Sequence, residues 1–480
     1  MGIVALGGIE GLLPPGAGAV AGRDVPHLLV VVPGVGGSEL RRDGRVLWGL
    51  SPGVVRGVHR RVGELTEHAP RLDDPDFGDG VTATGLVGLS VPGLSRLLGY
   101  GELRRRLHAE FALDDELTYL EFPYDWRRPI AHNAALLATA VGERLRRVRD
   151  RLNPRAEVVI VAHSMGGLVS RAYLDAHGGH DVCRRLITLG TPYRGSLKAL
   201  DVLVNGPKWG LRWGRMAEAL GRLPSLYELL PIYPVVVDRG DPGSPLKRAG
   251  ELLDVLPSLD GGRVKAAREF LLRLNRSEHP GVTEPLAGFG PATLQQAVLE
   301  GRALSVSKGS DLLPADYGSA GGDGTVPVIS ARPIDHTELR LPVRYDNQSH
   351  GGLVTDGTSL DALTFAVADA LRDHDPVQAP GDAPERAAEA IGAARALTID
   401  VADFHAAGEP VTVPGSARHR PVVRGLWARV DAAGEPLPVA VSEDGSFLLE
   451  LGPLPEGPHR LDLLDGPDGR AIMSDVVEVG

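Results

Sequence analysis

The segment VVIVAHSMGG, at residues 158–167, constrains the fold of this chain more than any other. Its first five residues are apolar, which is typical of a strand buried on both faces, and the helical pattern LVSRAYLDA follows directly. The small residues Ala162 and Gly166 permit a sharp, strained turn that lifts the Ser164 hydroxyl above the sheet edge, at the N-terminal end of a helix. We interpret Ser164 as a nucleophile, and an ordinary serine in a strand-to-helix turn is the alternative.

Strand-like and helix-like patterns alternate over the first 372 residues. The apolar runs typical of buried strands lie at residues 27–37, 117–123, 157–164 and 186–192. The helical patterns lie at residues 104–113, 133–152 and 359–372. Two further runs, 303–309 and 341–347, are predicted to continue the same sheet. This alternation predicts an α/β fold with a mostly parallel sheet covered by helices on both faces.

Composition divides the chain into four parts. An N-terminal segment (1–26) precedes the α/β domain (27–372), whose insertions at about 41–100 and 196–300 are predicted to form a lid and cap. Residues 373–395 are rich in Pro, Ala, Gly and Glu and predict a linker. Short alternating runs separated by turn residues predict a small all-β sandwich at 396–480.

Charge and cysteine content exclude several classes of protein. The chain carries 51 Lys and Arg against 62 Asp and Glu, and this net charge of −11 argues against a nucleic-acid partner. The single cysteine, Cys183, permits neither an intrachain disulfide nor a Cys-based metal site. Residues 1–22 lack the basic start of a signal peptide, and no apolar run predicts a membrane span. We expect a cytoplasmic protein that requires no metal or organic cofactor.

A serine nucleophile needs a histidine to accept its proton and a carboxylate to orient that histidine. In an α/β-hydrolase sheet these partners follow the serine in the order acid, then histidine. Asp323 lies in the glycine turn GGDGTVP (321–327) and is the preferred acid, and His350 follows the last predicted strand and is the preferred base. The alternatives for the acid are Asp311, Asp316 and Asp335.

Three residues near these motifs are predicted to be structural. His163 adjoins the nucleophile, so its ring is expected to point away from the reacting hydroxyl. His336 is the alternative to His350 for the base, but it lies in a polar segment that is better interpreted as surface. Asp125 follows a predicted strand and is expected to cap backbone N–H groups and to pair with arginine.

Acyl transfer also needs N–H donors for the oxyanion. One is expected from Met165, the residue after the nucleophile. The other is expected from Val35, in the loop PGVGGS (33–38) that follows the first strand. Gly34 in the same loop lets the backbone approach a substrate closely. A plain glycine turn is the alternative for this loop.

Five motifs together resemble the lecithin:cholesterol acyltransferase family of α/β-hydrolases, specifically its bacterial lipase-like or acyltransferase-like members. They are LVVVPGVGGSEL (29–40), FPYDWR (122–127), VAHSMGG (161–167), TLGTPYRGS (188–196) and GDGTVP (322–327). The resemblance covers about residues 27–372 and lacks the paired lid cysteines of animal members.

The resemblance implies a site made of named residues. The implied triad is Ser164, Asp323 and His350, with Val35 and Met165 as the oxyanion donors. It also implies that Trp48 lies in the lid region. Thr191 and Tyr193, which follow the carboxyl end of a strand, are predicted to line an acyl channel.

The expected activity is that of a serine esterase or lipase that hydrolyses a lipid ester, a phospholipid or acylglycerol, with acyl transfer to an alcohol and amide hydrolysis left open. The apolar segments LLGYGEL (97–103) and LPSLYELLPIYPVVV (223–237) predict either an acyl-binding wall with peripheral membrane contact or the packed core of a lid. The alternative function is a catalytically idle scaffold that binds a protein partner through its C-terminal β domain.

Overall fold

The structure of the protein is a computed structural model. It describes residues 23–49, 64–65, 71, 73–74, 78–87, 99–206, 221–309, 312–313, 321–372, 397–402, 405–417, 425–431, 434–467, 469 and 471–479. The first 22 residues, the predicted linker, and the alternative acids Asp311 and Asp316 lie outside the described residues.

The strands are β1 (Leu28–Val32), β2 (Ser38–Arg42), β3 (Arg45–Trp48), β4 (Val81–Leu86), β5 (Tyr119–Glu121), β6 (Val158–His163), β7 (Cys183–Leu189), β8 (Val236–Asp238), β9 (Thr283–Gly288), β10 (Gln296–Glu300), β11 (Ala303–Ser307), β12 (Arg344–Asp346), β13 (Thr398–Ile399), β14 (Pro410–Ser416), β15 (Leu426–Val430), β16 (Leu437–Val439), β17 (Ser446–Pro453), β18 (Gly457–Asp465) and β19 (Ala471–Val479). The helices are α1 (Gly101–Glu110), α2 (Ile130–Arg151), α3 (Met165–Ala176), α4 (Leu197–Asn205), α5 (Pro224–Tyr227), α6 (Gly261–Leu274), α7 (Val328–Ala331), α8 (Ile334–Glu338) and α9 (Gly357–Ala370).

A six-stranded parallel sheet lies at the centre of the α/β region. Its strand order is β12-β9-β7-β6-β1-β5, and every neighbouring pair is parallel. Alternate residues of β1 face opposite layers: Leu28 and Val30 pack in a core with α2 and α3, and Leu29 and Val31 pack in a second core with α1 and α9. Helices therefore cover both faces, and the predicted α/β-hydrolase fold class is confirmed.

One strand of the central sheet was predicted from the wrong segment of the chain. Residues 303–309 were expected in the central sheet, but β11 pairs with β10, and β10 pairs with β8, in a separate three-stranded sheet. The strand that takes this place in the central sheet is β9, which lies within the predicted cap insertion. Its sequence TEPLAG contains a charged residue and a proline, and Glu284 forms ion pairs with Arg185 and Arg344 of the flanking strands. A strand with so few β-branched residues carries little local signal.

The two insertions are more regular than their composition indicated. The described part of the first contains an antiparallel sheet in the order β3-β2-β4. In the second, Leu223, Tyr227, Val235 and Val236 are at most 2% exposed. Of the two alternatives for LPSLYELLPIYPVVV, the structure favours a packed cap core. No helix among the described residues is long and apolar enough to cross a bilayer.

The C-terminal region consists of antiparallel sheets, in agreement with the predicted all-β fold. One sheet has the order β13-β14-β17 and the other β16-β15-β18-β19, and residues of both share one apolar core. The second sheet contacts the segment between β12 and α9. Ser474 N–H donates to Gln348 Oε1 at 3.3 Å, and Arg460 donates to the Thr355 carbonyl at 3.3 Å and pairs with Asp356 at 3.5 Å.

A buried arginine joins the first insertion to the α/β core. Arg127 is 0% exposed, binds both carboxylate oxygens of Asp125, pairs with Asp79 at 3.0 Å and donates to the Leu65 carbonyl. The predicted capping and pairing role of Asp125 is confirmed, since it also accepts from Arg127 N–H at 3.1 Å. Burial raises the pKa of Asp79, but the Arg127 hydrogen bond and charge outweigh it and leave that pKa below its usual value.

We expect Arg127→Gln to lower the free energy of unfolding by about 3–5 kcal/mol, because it removes the cation that Asp125 binds and leaves the buried Asp79 with only the more distant Arg42, at 3.7 Å. Urea unfolding followed by circular dichroism measures this loss. The exposed Arg147 on α2 provides the control, and Arg147→Gln should change the free energy by less than about 0.5 kcal/mol. A similar effect for both variants would contradict the structural role of Arg127.

The side chain of Glu228, in the second insertion, caps the N-terminal end of α2. Glu228 Oε2 accepts the backbone N–H of Ile130, the first residue of α2, at 2.7 Å. Desolvation raises the pKa of Glu228 to about 8, with a smaller contribution from the charge of Asp73, while the Ile130 hydrogen bond opposes the shift. The folded protein therefore retains a proton that the unfolded chain releases near pH 4.5.

Because the folded pKa of Glu228 is raised, its contribution to stability is present below pH 4.5 and declines as pH rises to about 8. Glu228→Gln keeps an acceptor for Ile130 but cannot ionise. We expect the variant to be more stable than the native protein at pH 9, by on the order of 2 kcal/mol, and equally stable at pH 4. Denaturant unfolding across this range tests it, with the exposed Glu269→Gln on α6 as control. Parallel pH profiles for native protein and Glu228→Gln would refute it.

Candidate active site

Ser164 lies in a strained turn between β6 and α3. Its backbone has φ 54° and ψ −129°, in the left-handed half of conformational space that a residue with a side chain rarely adopts. The turn is held by Ser164 N–H, which donates to the Leu189 carbonyl of β7 at 2.8 Å. This conformation is the sharp strand-to-helix turn that the sequence motif predicts.

Glycines after the serine allow α3 to approach the neighbouring strand ends. A Cβ at Gly166 would lie 2.4 Å from the Pro33 carbonyl oxygen, and a Cβ at Gly167 would lie 2.0 Å from Thr191 Oγ1. Side chains at these two positions would push the helix away from β1 and from the loop after β7. The glycine pair therefore sets the height of Ser164 above the sheet.

Three of the predicted site residues lie in one hydrogen-bonded row. His350 Nε2 is 2.9 Å from Ser164 Oγ, and His350 Nδ1 is 2.8 Å from Asp323 Oδ2. Asp323 is 2% exposed, and its other oxygen, Oδ1, accepts the N–H groups of Thr325 and Val326 at 2.9 and 2.7 Å. A further bond, from His350 N–H to the Asp323 carbonyl at 2.8 Å, joins the two loops.

The hydrogen-bond partners assign the proton on the His350 ring. An ionised Asp323 only accepts hydrogen bonds, so the neutral ring carries its hydrogen on Nδ1 and presents the Nε2 lone pair to Ser164 Oγ. This arrangement can take a proton from the serine and hold the resulting imidazolium beside a carboxylate.

Of the two predicted N–H donors, Met165 directly follows Ser164 in the chain, and Val35 belongs to a loop that contacts Ser164. Met165 is the first residue of α3, so its N–H has no partner within the helix. Val35 follows Gly34, and a Cβ at Gly34 would lie only 2.7 Å from Ser164 Cβ and 3.3 Å from Oγ. The loop after β1 therefore contacts Ser164, as its predicted role in an oxyanion site requires.

The residues predicted to contact substrate are more deeply placed than expected. Trp48 is 2% exposed, and its Nε1–H donates to the Gly36 carbonyl at 2.7 Å, so it packs beneath the loop after β1. Thr191 is 1% exposed and donates to the Ser164 carbonyl at 3.0 Å. Tyr193 is fully buried, and its hydroxyl donates to Thr188 Oγ1 at 2.9 Å. The acyl-channel prediction is not supported for Thr191 and Tyr193, because their hydroxyls are engaged inside the protein.

Among the described residues, the histidines His163 and His336 and the alternative acid Asp335 bond to partners other than the Ser164 hydroxyl. His336 is 1% exposed, so the prediction of a surface position was wrong: its ring bonds Asp335 Oδ1 at 3.1 Å and the Thr283 carbonyl at 3.0 Å. Asp335 also pairs with the buried Arg171. The structural role predicted for His163 is confirmed, because both its ring nitrogens bond within the protein.

Sequence reasoning missed three residues around the row. A Cβ at Gly190 (φ 57°) would lie 2.8 Å from Asp323 Oδ2 and 3.0 Å from His350 Nδ1. A Cβ at Gly288 would lie 2.7 Å from Asp323 Cβ. The Tyr100 hydroxyl accepts the Gly34 N–H at 2.7 Å. Gly190 had a signal, since it ends an apolar run within TLGTPYRGS, whereas Tyr100 was seen only as part of an apolar insertion.

The fold and the arrangement at its strand ends are those of an α/β-hydrolase. Residues 109–238 match the family model of lecithin:cholesterol acyltransferase, which confirms the resemblance over less than half of the chain. The matched region includes β6, the Ser164 turn and α3. This match agrees with lipid ester hydrolysis or acyl transfer in general terms. No cluster of His, Cys, Asp and Glu suited to a metal ion occurs among the residues described.

Solved structures with a similar chain path include those of one Bacillus lipase, in two forms, and a phospholipase. The mature Bacillus licheniformis lipase BlEst2 is 15% identical, with a TM-score of 0.33, 71% of this chain covered and 91% of that one. Its propeptide form is 16% identical, with a TM-score of 0.35 and coverages of 95% and 74%. Phospholipase PlaB from Legionella pneumophila is 12% identical, with a TM-score of 0.34 and coverages of 94% and 93%. No curated protein matches the chain.

Proposed function

We propose that the protein is a serine esterase that cleaves carboxylic esters of lipids, phospholipid or acylglycerol, through an acyl-serine intermediate. The observation that carries this proposal is the row in which His350 Nε2 lies 2.9 Å from Ser164 Oγ and His350 Nδ1 lies 2.8 Å from Asp323 Oδ2. The acyltransferase family match over residues 109–238 supports the lipid ester as substrate class.

The reaction follows from these contacts. His350 takes the Ser164 proton as Oγ attacks the ester carbonyl, and the N–H groups of Met165 and Val35 stabilise the oxyanion. The imidazolium, held by Asp323, gives the proton to the departing alcohol and leaves an acyl-serine. Water, or an acceptor alcohol, then takes the acyl group by the same steps in reverse, which restores the serine.

Mass spectrometry of a phospholipid and acylglycerol mixture, incubated with the protein or with Ser164→Ala, tests the proposal. We expect free fatty acid and the matching lyso-lipid or partial glyceride from the native protein alone. Adding a long-chain alcohol to the same mixture distinguishes the two fates of the acyl group, because transfer yields a new ester and hydrolysis does not.

A fluorophosphonate probe separates failure of the substrate assignment from failure of the mechanism. Labelling at Ser164 without lipid products would reject the lipid ester and retain a serine hydrolase. Neither labelling nor products would reject the enzyme and favour the idle scaffold that binds a partner through its C-terminal domain.

A further inference from the structure

We propose that Tyr100 and His163 are positioning residues, which join the loop supplying the Val35 oxyanion donor to the loop carrying the base His350. This inference rests on the proposed function, because it assigns these loops their parts in the reaction. Neither residue touches the reacting atoms in this arrangement.

A second set of hydrogen bonds, the Tyr100–His163 network, runs from Gly34 through these two residues to His350. Gly34 N–H donates to the Tyr100 hydroxyl oxygen at 2.7 Å, and that hydroxyl lies 2.9 Å from His163 Nδ1. On the far side of the ring, His163 Nε2 lies 3.0 Å from the carbonyl oxygen of His350. Tyr100 is 2% exposed and His163 is 1% exposed, so water does not compete for these bonds.

The chemistry of the partners fixes which group donates in every hydrogen bond of the Tyr100–His163 network. The His350 carbonyl only accepts, so the neutral His163 ring carries its hydrogen on Nε2 and accepts on Nδ1. Tyr100 therefore donates its hydroxyl hydrogen to Nδ1, and its oxygen remains free to accept from Gly34. Burial, followed by the nearby His350 ring, lowers the pKa of His163 well below its usual value, which keeps the ring neutral.

The Tyr100–His163 network connects the loop that carries Gly34 and Val35 to the loop that carries His350. Gly34 lies against Ser164 and precedes Val35 in the chain, whereas His350 approaches Ser164 from the opposite loop. The rings of His163 and His350 are also in contact, with centroids 4.6 Å apart. Removing one hydroxyl or one ring leaves buried polar groups unpaired and frees the two loops to move relative to each other.

Kinetics of Tyr100→Phe and His163→Leu on a soluble short-chain ester test the inference. The active sites are titrated with a fluorophosphonate, so that kcat refers to competent protein only. We expect kcat per titrated site to fall roughly 10- to 100-fold in each variant, with KM changed less than threefold. His163→Gln retains an N–H donor for the His350 carbonyl and should recover part of the loss.

The double variant tests whether the two residues act as one unit. If they do, adding Tyr100→Phe to His163→Leu lowers kcat little further, whereas independent effects multiply. Tyr119→Phe is the matched control, since Tyr119 is also 2% exposed and its hydroxyl donates to Glu121 at 3.1 Å on β5, away from Ser164. That control should keep its kcat per site.

Three outcomes would overturn the inference. One is a kcat per titrated site within threefold of the native value in Tyr100→Phe and His163→Leu, with fewer titratable sites, which would mean a role in folding alone. Another is multiplicative loss in the double variant. The last is a native protein that neither labels nor turns over ester, which overturns the proposed function together with this inference.

Discussion

Asp323→Asn should lower kcat by about 10³- to 10⁴-fold without unfolding the loop that carries it. Asn Oδ1 can still accept the Thr325 and Val326 N–H groups that Asp323 Oδ1 accepts now. Its amide N–H₂ then faces His350 Nδ1, where the carboxylate oxygen Oδ2 had been. Nδ1 becomes an acceptor, so the ring hydrogen moves to Nε2 and points at Ser164 Oγ in place of the lone pair.

The measurement is steady-state ester hydrolysis beside thermal unfolding of the same preparation. Asp335→Asn is the informative comparison, because Asp335 was an alternative acid and pairs with buried Arg171. It should lower the melting temperature and keep kcat. Loss of activity in Asp335→Asn with retention in Asp323→Asn would reverse the assignment of the acid.

Gly34→Ala should lower kcat by about 100-fold or more, although it adds a single methyl group. That methyl would lie 2.7 Å from Ser164 Cβ and 3.3 Å from Oγ, closer than van der Waals contact permits. The Ser164 turn is held by β6, β7 and α3, so the loop after β1 must move instead. A shift of several tenths of an ångström in that loop carries the Val35 N–H away from the oxyanion.

Gly142→Ala supplies the control for an added methyl group. Gly142 lies within α2 with nothing within 4 Å of the added Cβ, so this variant should keep kcat and gain up to about 1 kcal/mol of stability. Crystal structures or labelling rates with a fluorophosphonate report whether the site has shifted. Full activity in Gly34→Ala would place the oxyanion loop elsewhere.

Local signals were sufficient to predict the nucleophile turn and its partners. A buried strand followed directly by a serine between small residues is compatible with few local structures other than a nucleophile turn. Chain order then limited the acid and the base to a few candidates. The centre of the six-stranded sheet was predictable for the same reason, since β1 and most of β6 are apolar runs and β7 ends in the buried segment LITL.

Contacts between distant segments were not predictable in this way. Tyr100 reaches Gly34 across 66 residues, and nothing in its neighbours marks that bond. The strand β9 is held by pairing with β7 and β12 rather than by its own propensity. His336 was assigned to the surface from its polar neighbours, but its partners are Asp335 and the Thr283 carbonyl inside the protein.

The contact between the second C-terminal sheet and the segment after β12 bears on how the chain can be divided. Asp356 is 2% exposed and caps α9, and its cationic partner, Arg460, comes from β18. Gln348, two residues before His350, accepts from Ser474 of β19. A chain cut within residues 373–396 would therefore keep the buried Asp356 carboxylate but lose the arginine that pairs with it, beside the loop that carries His350. The change in composition marks a convenient place to cut, but the contacts that stabilise the α/β region extend beyond it.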